Sequence, residues 1–135
     1  MEIPGGKDYT FYQGEKYQVE FYFNESGRMP ARDYLEGTSL KVKVKLAALV
    51  KYIADHGKLF DKTKFRVVDS KEQIYEFKPL DHRFFSFFYR DAKIIITSAY
   101  IKKSQKVSKK DLDKARALKK DYICRVKGGV YYEKS

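Results

Sequence analysis

The stretch IYEFKPLDHRFFSFFYRDAKIIITSAYIKKSQKVSKKDLDKARALKKDY, Ile74 to Tyr122, decides how this chain folds. Three short segments rich in aromatic and β-branched residues are joined by tight connections, and a strongly basic segment of helical periodicity follows. That is the pattern of a three-stranded meander feeding a helix. A four-residue corner, Pro79-Leu80-Asp81-His82, sets Lys78 opposite Arg83, then Glu76 opposite Phe85 and Ile74 opposite Phe87. A second turn at Asp91-Ala92 sets Arg90 opposite Lys93, Phe85 opposite Ser98 and Arg83 opposite Tyr100. Because side chains alternate across a sheet, Glu76, Lys78, Arg83, Ser98, Tyr100 and Lys102 gather at one end of a shared face. The other end of that face is expected to be apolar, with Ile74, Phe87, Ile94 and Ile96. A single bulge would invert part of this register.

Outward from the meander, composition sets the class. The chain has 135 residues, 43% hydrophobic and 16% aromatic, enough for one folded domain with a real core. Lysine and arginine number 29 against 18 acidic residues, a net charge of +11, which favours a polyanionic partner, nucleic acid before an anionic membrane surface. Between Lys102 and Lys120 nine basic residues face two aspartates. Cys124 is the only cysteine, which excludes an intramolecular disulfide, and His56 and His82 lie too far apart in sequence to suggest a metal site. No cofactor is implied. No run approaches membrane-spanning length and no leader is legible, so a protein of the reducing cytoplasm, with no membrane partner, is expected.

Residues 1–13 carry Pro4, Gly5 and Gly6 and are read as an arm; Glu15–Asn24 alternates as a first strand. Pro30 suits the first turn of a short helix ending near Gly37. Thr38 or Ser39 can cap a second helix to His56, with Gly57 as its stop. Leu46, Leu49, Val50, Ile53 and Ala54 form its buried stripe. Leu59–Ser70 reads as a connection with a short extended piece. Ser108 and Asp111 resemble a capping box for the last helix, lined on one side by Leu112, Ala115, Leu118 and Tyr122, and residues 123–135 are left as a tail or a marginal strand.

The chain contains no P-loop, G-x-G-x-x-G, H-E-x-x-H or G-x-S-x-G. The cationic cluster remains. RNA is cut without metal when its 2′-hydroxyl is deprotonated, the charge developing on the phosphate is neutralised and the 5′-oxygen is protonated, functions that Lys, Arg and Tyr supply. Lys78 beside other cations is a candidate base, Arg83 a phosphate brace, and Tyr100 or Phe85 a surface for a base to stack on. A solvated sheet edge would look similar.

At these residues the chain resembles the RelE superfamily of toxin–antitoxin toxins, in its HigB-type branch with phage-derived relatives. The resemblance is carried by IYEFKPL (74–80), similar to L-Y-E-L-R-P-L; by HRFFSFFY (82–89); by IIITSAYIKKSQKVSKKDLDKA (94–115), similar to an apolar strand followed by K-K-[ST]-Q-K-T-P; and by GRMPARDYLEG (27–37). It covers about residues 27–122. It implies an α+β fold with two N-terminal helices packed on a small, antiparallel, twisted sheet and a basic C-terminal helix. It also implies a ribosome-dependent endoribonuclease (mRNA interferase) that cuts mRNA in the A site of the 70S ribosome and is neutralised by a cognate helix-turn-helix antitoxin. Carried over residue by residue, Arg83 matches the phosphate-bracing arginine, Lys78 falls where some members have a base-like lysine, and Lys102 and Lys103 match the K-K pair. Tyr100 completes the expected catalytic set, and Glu76, Phe85, Lys106, Lys109 and Lys110 are the expected RNA contacts. Phe77-Lys78 in place of Leu-Arg, Val107-Ser108 in place of Thr-Pro, and Tyr100 where many relatives place His or Phe are departures. Two other readings stay open: an inhibitor of this fold that acts by binding gyrase or the ribosome, and a basic nucleic-acid-binding module.

Overall fold

The computed structural model of the chain describes residues 9–58 and 61–132. They form a mixed α+β structure of six strands and three helices: β1 (Thr10–Gln13), β2 (Gln18–Phe21), α1 (Pro30–Glu36), α2 (Leu40–His56), β3 (Phe65–Asp69), β4 (Ile74–Phe77), β5 (His82–Tyr89), β6 (Lys93–Ile101) and α3 (Lys109–Lys127). All six strands share one sheet in the order β1-β2-β6-β5-β4-β3. The expected meander is its centre. Two expectations are corrected. Two strands precede the helix pair, and the sheet is not purely antiparallel, because β2 runs parallel to β6, Gln18 pairing with Lys93 and Phe21 with Ile96.

The helices start and stop where their terminal chemistry directs. Pro30 occupies the first turn of α1. Ser39 accepts a hydrogen bond from the Val42 amide, and Gly57 closes α2 in the left-handed conformation, φ 87°. Ser108 caps α3 by accepting from the Asp111 amide at 3.0 Å. That helix runs past Tyr122 to Lys127, where a tail was expected: Arg125 holds Asp121 at 2.9 Å and the Phe23 carbonyl at 2.8 Å. Beyond it Tyr131 is buried, its ring stacked on Phe23 at 4.1 Å. Residues 1–8 of the expected arm lie outside the described residues; its end, Thr10–Gln13, is strand β1.

Phe84 and Phe87 lie three apart on β5 and so point to opposite faces. Phe84 meets Tyr34 of α1, with ring centres 5.6 Å apart, and Phe87 meets Tyr122 of α3 at 5.5 Å. The sheet is thus packed on both faces, with Val42, Leu46, Val50 and Ile53 of α2 fully or almost fully buried on the α1 side. A smaller cluster, Ile74, Phe85 and Ala115 with Leu112, Val107 and Tyr100, lies under α3.

The expected register holds at one end of the meander and fails at the other. Glu76 pairs with Phe85 and Arg83 with Tyr100, as counted. The β5–β6 turn takes one residue more than expected, however, so Tyr89 rather than Arg90 pairs with Lys93. Between the pairs Phe84–Ala99 and Ser86–Ile96, β6 has two residues, Thr97 and Ser98, opposite Phe85 alone. This bulge cancels the offset of the turn. Ile94 and Ile96 therefore belong to the α1 face, and Ile95 stands opposite Phe87 in their place.

The β1–β2 turn is locked to the end of α2. Lys16 and Tyr17 amides both donate to the Ala54 carbonyl, at 2.7 and 3.0 Å, and Asp55 accepts from Tyr12, the Glu15 amide and Lys51. A Cβ on Gly14 would lie 2.5–2.6 Å from the Ala54 Cβ, carbonyl carbon and oxygen. Gly14→Ala is expected to destabilise the protein by about 1–3 kcal/mol, the usual range for overpacking. A thermal melt unchanged from that of the parent protein would contradict this.

Candidate functional site

The end of the sheet where β4 finishes, β5 starts and β6 finishes is drawn together by backbone bonds. The Lys78 amide donates to the Lys64 carbonyl at 2.8 Å, the His82 amide to Pro79 at 3.1 Å, and the Lys102 amide to Asp81 at 2.7 Å. Leu80, in the corner, has φ 56°, a left-handed conformation that costs a leucine strain. Its carbonyl is thereby available to Arg83, whose Nη1 donates to it at 2.7 Å and to the His82 carbonyl at 2.9 Å.

At the centre lies Glu76, with no solvent exposure. A buried carboxylate is tolerated only with partners, and three converge on it. Arg66 Nε donates to Oε1 at 3.1 Å, Arg83 Nε stands 3.9 Å from the same oxygen, and the Tyr100 hydroxyl donates to Oε2 at 3.1 Å. The Arg83 side chain is only 8% exposed, so its guanidinium is fixed on several sides. Tyr100 stacks on Phe85 with ring centres 5.2 Å apart. Burial, and next the Glu76 charge, push the Tyr100 phenol well above its ordinary range, so it stays protonated.

Above this cluster opens a polar cleft of about 70 Å³, lined by Arg66, Lys78, Arg83, Tyr100, Lys102, Ser104, Gln105 and Lys106. The cleft is small beside the roughly 300–1,000 Å³ of small-ligand sites, and it suits a group of about phosphate size. Five cations line it over a single buried carboxylate. Lys78 donates to the Lys62 carbonyl at 3.1 Å. Its amine is held below the usual lysine range, first by burial and then by the positive charges of Arg66, Arg83 and Lys102, with Glu76 opposing.

The structure thus brings together Glu76, Lys78, Arg83, Tyr100, Lys102 and Lys106 of the expected residues. Others stand apart. Phe85 is 1% exposed beneath Tyr100, so no base can stack on it, which corrects that expectation. Lys103 and Lys110 are exposed and do not line the cleft, and Lys109 is bonded to Asp113 at 2.6 Å. Ser98, expected on the shared face, sits in the bulge, buried, and its hydroxyl has no hydrogen-bond partner among the described residues. His82 belongs to the opposite face, where its Nδ1 lies 2.7 Å from the Tyr34 hydroxyl. The residue that sequence reasoning missed is Arg66. A signal existed: Phe65 and Val67 alternate with Arg66 ahead of the polar turn Asp69–Gln73, and the hairpin so formed sets Arg66 opposite Glu76.

The model of the family described as phage derived protein Gp49-like (DUF891) matches residues 33–120. The chain belongs to that family. No curated protein matches it. The Gp49-like family is associated with RelE-like toxins of toxin–antitoxin systems, which points to a toxin-like protein with an antitoxin partner. The Gp49-like match spans α2, β3, β4, β5, β6 and most of α3, and so takes in every residue that lines the cleft. Among the described residues no helix is long and apolar enough to cross a membrane, and no three His, Cys, Asp or Glu side chains are grouped as metal ligands would be.

Proposed function

We propose that this protein is the toxin of a type II toxin–antitoxin system, of the RelE superfamily and its HigB-type branch. In this reading it is an endoribonuclease that enters the A site of the 70S ribosome and cuts mRNA there until a helix-turn-helix antitoxin binds it. The observation that carries the reading is a lysine of lowered pKa beside two guanidinium groups ordered by one buried carboxylate, all facing a phosphate-sized cleft. Metal-independent RNA cleavage needs a base and fixed positive charge at the phosphate, and this set supplies both.

In the proposed reaction neutral Lys78 takes the proton of the 2′-hydroxyl, the 2′-oxygen bonds to phosphorus, and the bond from phosphorus to the 5′-oxygen breaks. Arg83 and Arg66 meet the charge that develops on the phosphate oxygens, Arg66 taking the part that the sequence suggested for Lys103. The leaving 5′-oxygen takes a proton from the Lys102 ammonium. A 2′,3′-cyclic phosphate and a 5′-hydroxyl end result. Tyr100, already donating to Glu76, holds the carboxylate in place.

The test is to add purified protein to programmed ribosomes carrying a labelled mRNA, beside the same RNA free in solution, and to map the ends. Cuts at the A-site codon only on the ribosome are expected. Intact RNA in both samples, with growth still arrested by the protein, would select an inhibitor that acts by binding.

The pH profile carries a sign. The reactive form of Lys78 is the neutral amine, so cleavage rises with pH up to a pKa lying below the ordinary lysine value of 10.5. Lys102 is one of the cations that disfavour the Lys78 ammonium. Lys102→Gln should therefore lower the maximal rate and move the rising limb to higher pH. Single-turnover cleavage across pH measures both, and a limb that moves to lower pH would remove Lys78 as the base.

A further inference from the structure

An RNA strand cut in so small a cleft must place its sugars and bases elsewhere. One neighbouring cleft, of about 370 Å³ and within the range of small-ligand sites, lies around the end of the sheet from the first. It is lined by Lys45, Ala48 and Leu49 of α2, Thr63 and Lys64 ahead of β3, and Lys78, Pro79 and Leu80 at the corner. Lys78 belongs to both clefts.

We infer that this second cleft binds the nucleotide whose 2′-hydroxyl attacks. The inference rests on the ribonuclease reading and follows from its chemistry. If Lys78 removes the 2′-proton, the ribose bearing that hydroxyl adjoins the Lys78 amine, and its base and 5′-phosphate extend to the far side of Lys78. That side offers what they need. Leu49, Pro79 and Leu80 give an apolar surface for a base, Leu80 being 43% exposed. Lys45 and Lys64 are exposed cations at the same cleft, Lys64 loosely paired with Asp61 at 3.9 Å, and both are placed for the 5′-phosphate. A larger cleft beside Tyr75 and Phe88 also shares a residue with the phosphate site, Arg66. That guanidinium is committed to Glu76 on the opposite face of the sheet, so it offers the strand no path. The strained corner at Leu80 thus serves both sides: its carbonyl fixes Arg83 and its side chain forms part of the base platform.

The experiment uses the full chain on programmed ribosomes with an mRNA carrying one 2′-deoxy-4-thiouridine immediately 5′ of the mapped cut. That nucleotide lacks the attacking hydroxyl and crosslinks on irradiation. Attachment within Lys45–Leu49 or Pro79–Leu80 is expected; attachment confined to residues 102–106, or none to the protein, overturns the subsite. As a second measurement, Lys45→Glu with Lys64→Glu changes only exposed side chains. It should raise the protein concentration for half-maximal cleavage about tenfold, of the order of one nucleotide contact, with the saturating rate, read on the pH plateau above the rising limb, within about twofold. Lys41→Glu, on the same helix outside the cleft, should change it less than about twofold. Equal effects of the two would mean general loss of charge and would overturn the subsite. If unmodified mRNA is not cut at all, the ribonuclease reading fails and the subsite with it; cutting that is unaffected by the double variant overturns the subsite alone.

Discussion

Arg83→Ala should slow ribosome-dependent mRNA cleavage by about two to three orders of magnitude, the usual cost of removing one fixed donor aimed at developing charge. The size of the effect comes from how the guanidinium is held. Two backbone carbonyls and Glu76 fix it before any substrate arrives, so none of its ordering falls on the reaction. Arg83→Lys should recover little of the loss. An ammonium group cannot reach the Leu80 carbonyl, the His82 carbonyl and Glu76 in one plane as a guanidinium does. Single-turnover rates at saturating protein, with a melting curve to show that the variant is folded, measure this. A folded Arg83→Ala protein that still cuts at the parent rate would remove Arg83 from the site.

The second large effect falls on stability. Glu76→Ala takes away the carboxylate that Arg66, Arg83 and Tyr100 converge on, and leaves the guanidinium of Arg83, 8% exposed, without its counter-charge. Removing one partner of a buried ion pair costs about 3–5 kcal/mol, most of it the penalty of the stranded charge. Denaturant unfolding of parent and variant would show it as a drop in midpoint at similar slope. The double variant Glu76→Ala with Arg83→Ala should lose less than the two single losses added together. A Glu76→Ala midpoint within experimental error of the parent would mean that the cluster is not coupled to folding.

The central meander was legible because alternation and turn length act over neighbouring residues. Even there one correct pairing was reached through two compensating deviations. Arg83 stands opposite Tyr100 because the longer turn at Asp91-Ala92 and the bulge at Thr97-Ser98 offset each other. Isoleucine at 94, 95 and 96 carries no alternation, so nothing local says which of them faces which layer. Arg66 was missed because β3 is a short edge strand whose identity rests on pairing with β4. Burial of Tyr131 and the parallel pairing of β2 depend on residues far away in the chain, which no window of sequence contains. The charge of the site was legible except for Arg66. Its order was not, because that comes from a carboxylate whose partners lie on three different strands.

The parallel pairing of β2 with β6 has a consequence for how the molecule assembles. Parallel neighbours cannot be joined by a hairpin, and Gln18 finds its partner only at Lys93, far along the chain. The four strands from β3 to β6 each adjoin the next in sequence, so they can form with short loop closures, whereas seating the first hairpin requires one long closure. The first hairpin is then expected to be the last part of the sheet to join, although Val19, Glu20 and Phe21 end buried and its turn ends held by α2. Pulse-labelled hydrogen exchange during refolding should show the amides of β3 to β6 protected before those of β1 and β2. The pairing of Arg83 with Tyr100 belongs to the early part, so the cleft takes its shape before the sheet is complete.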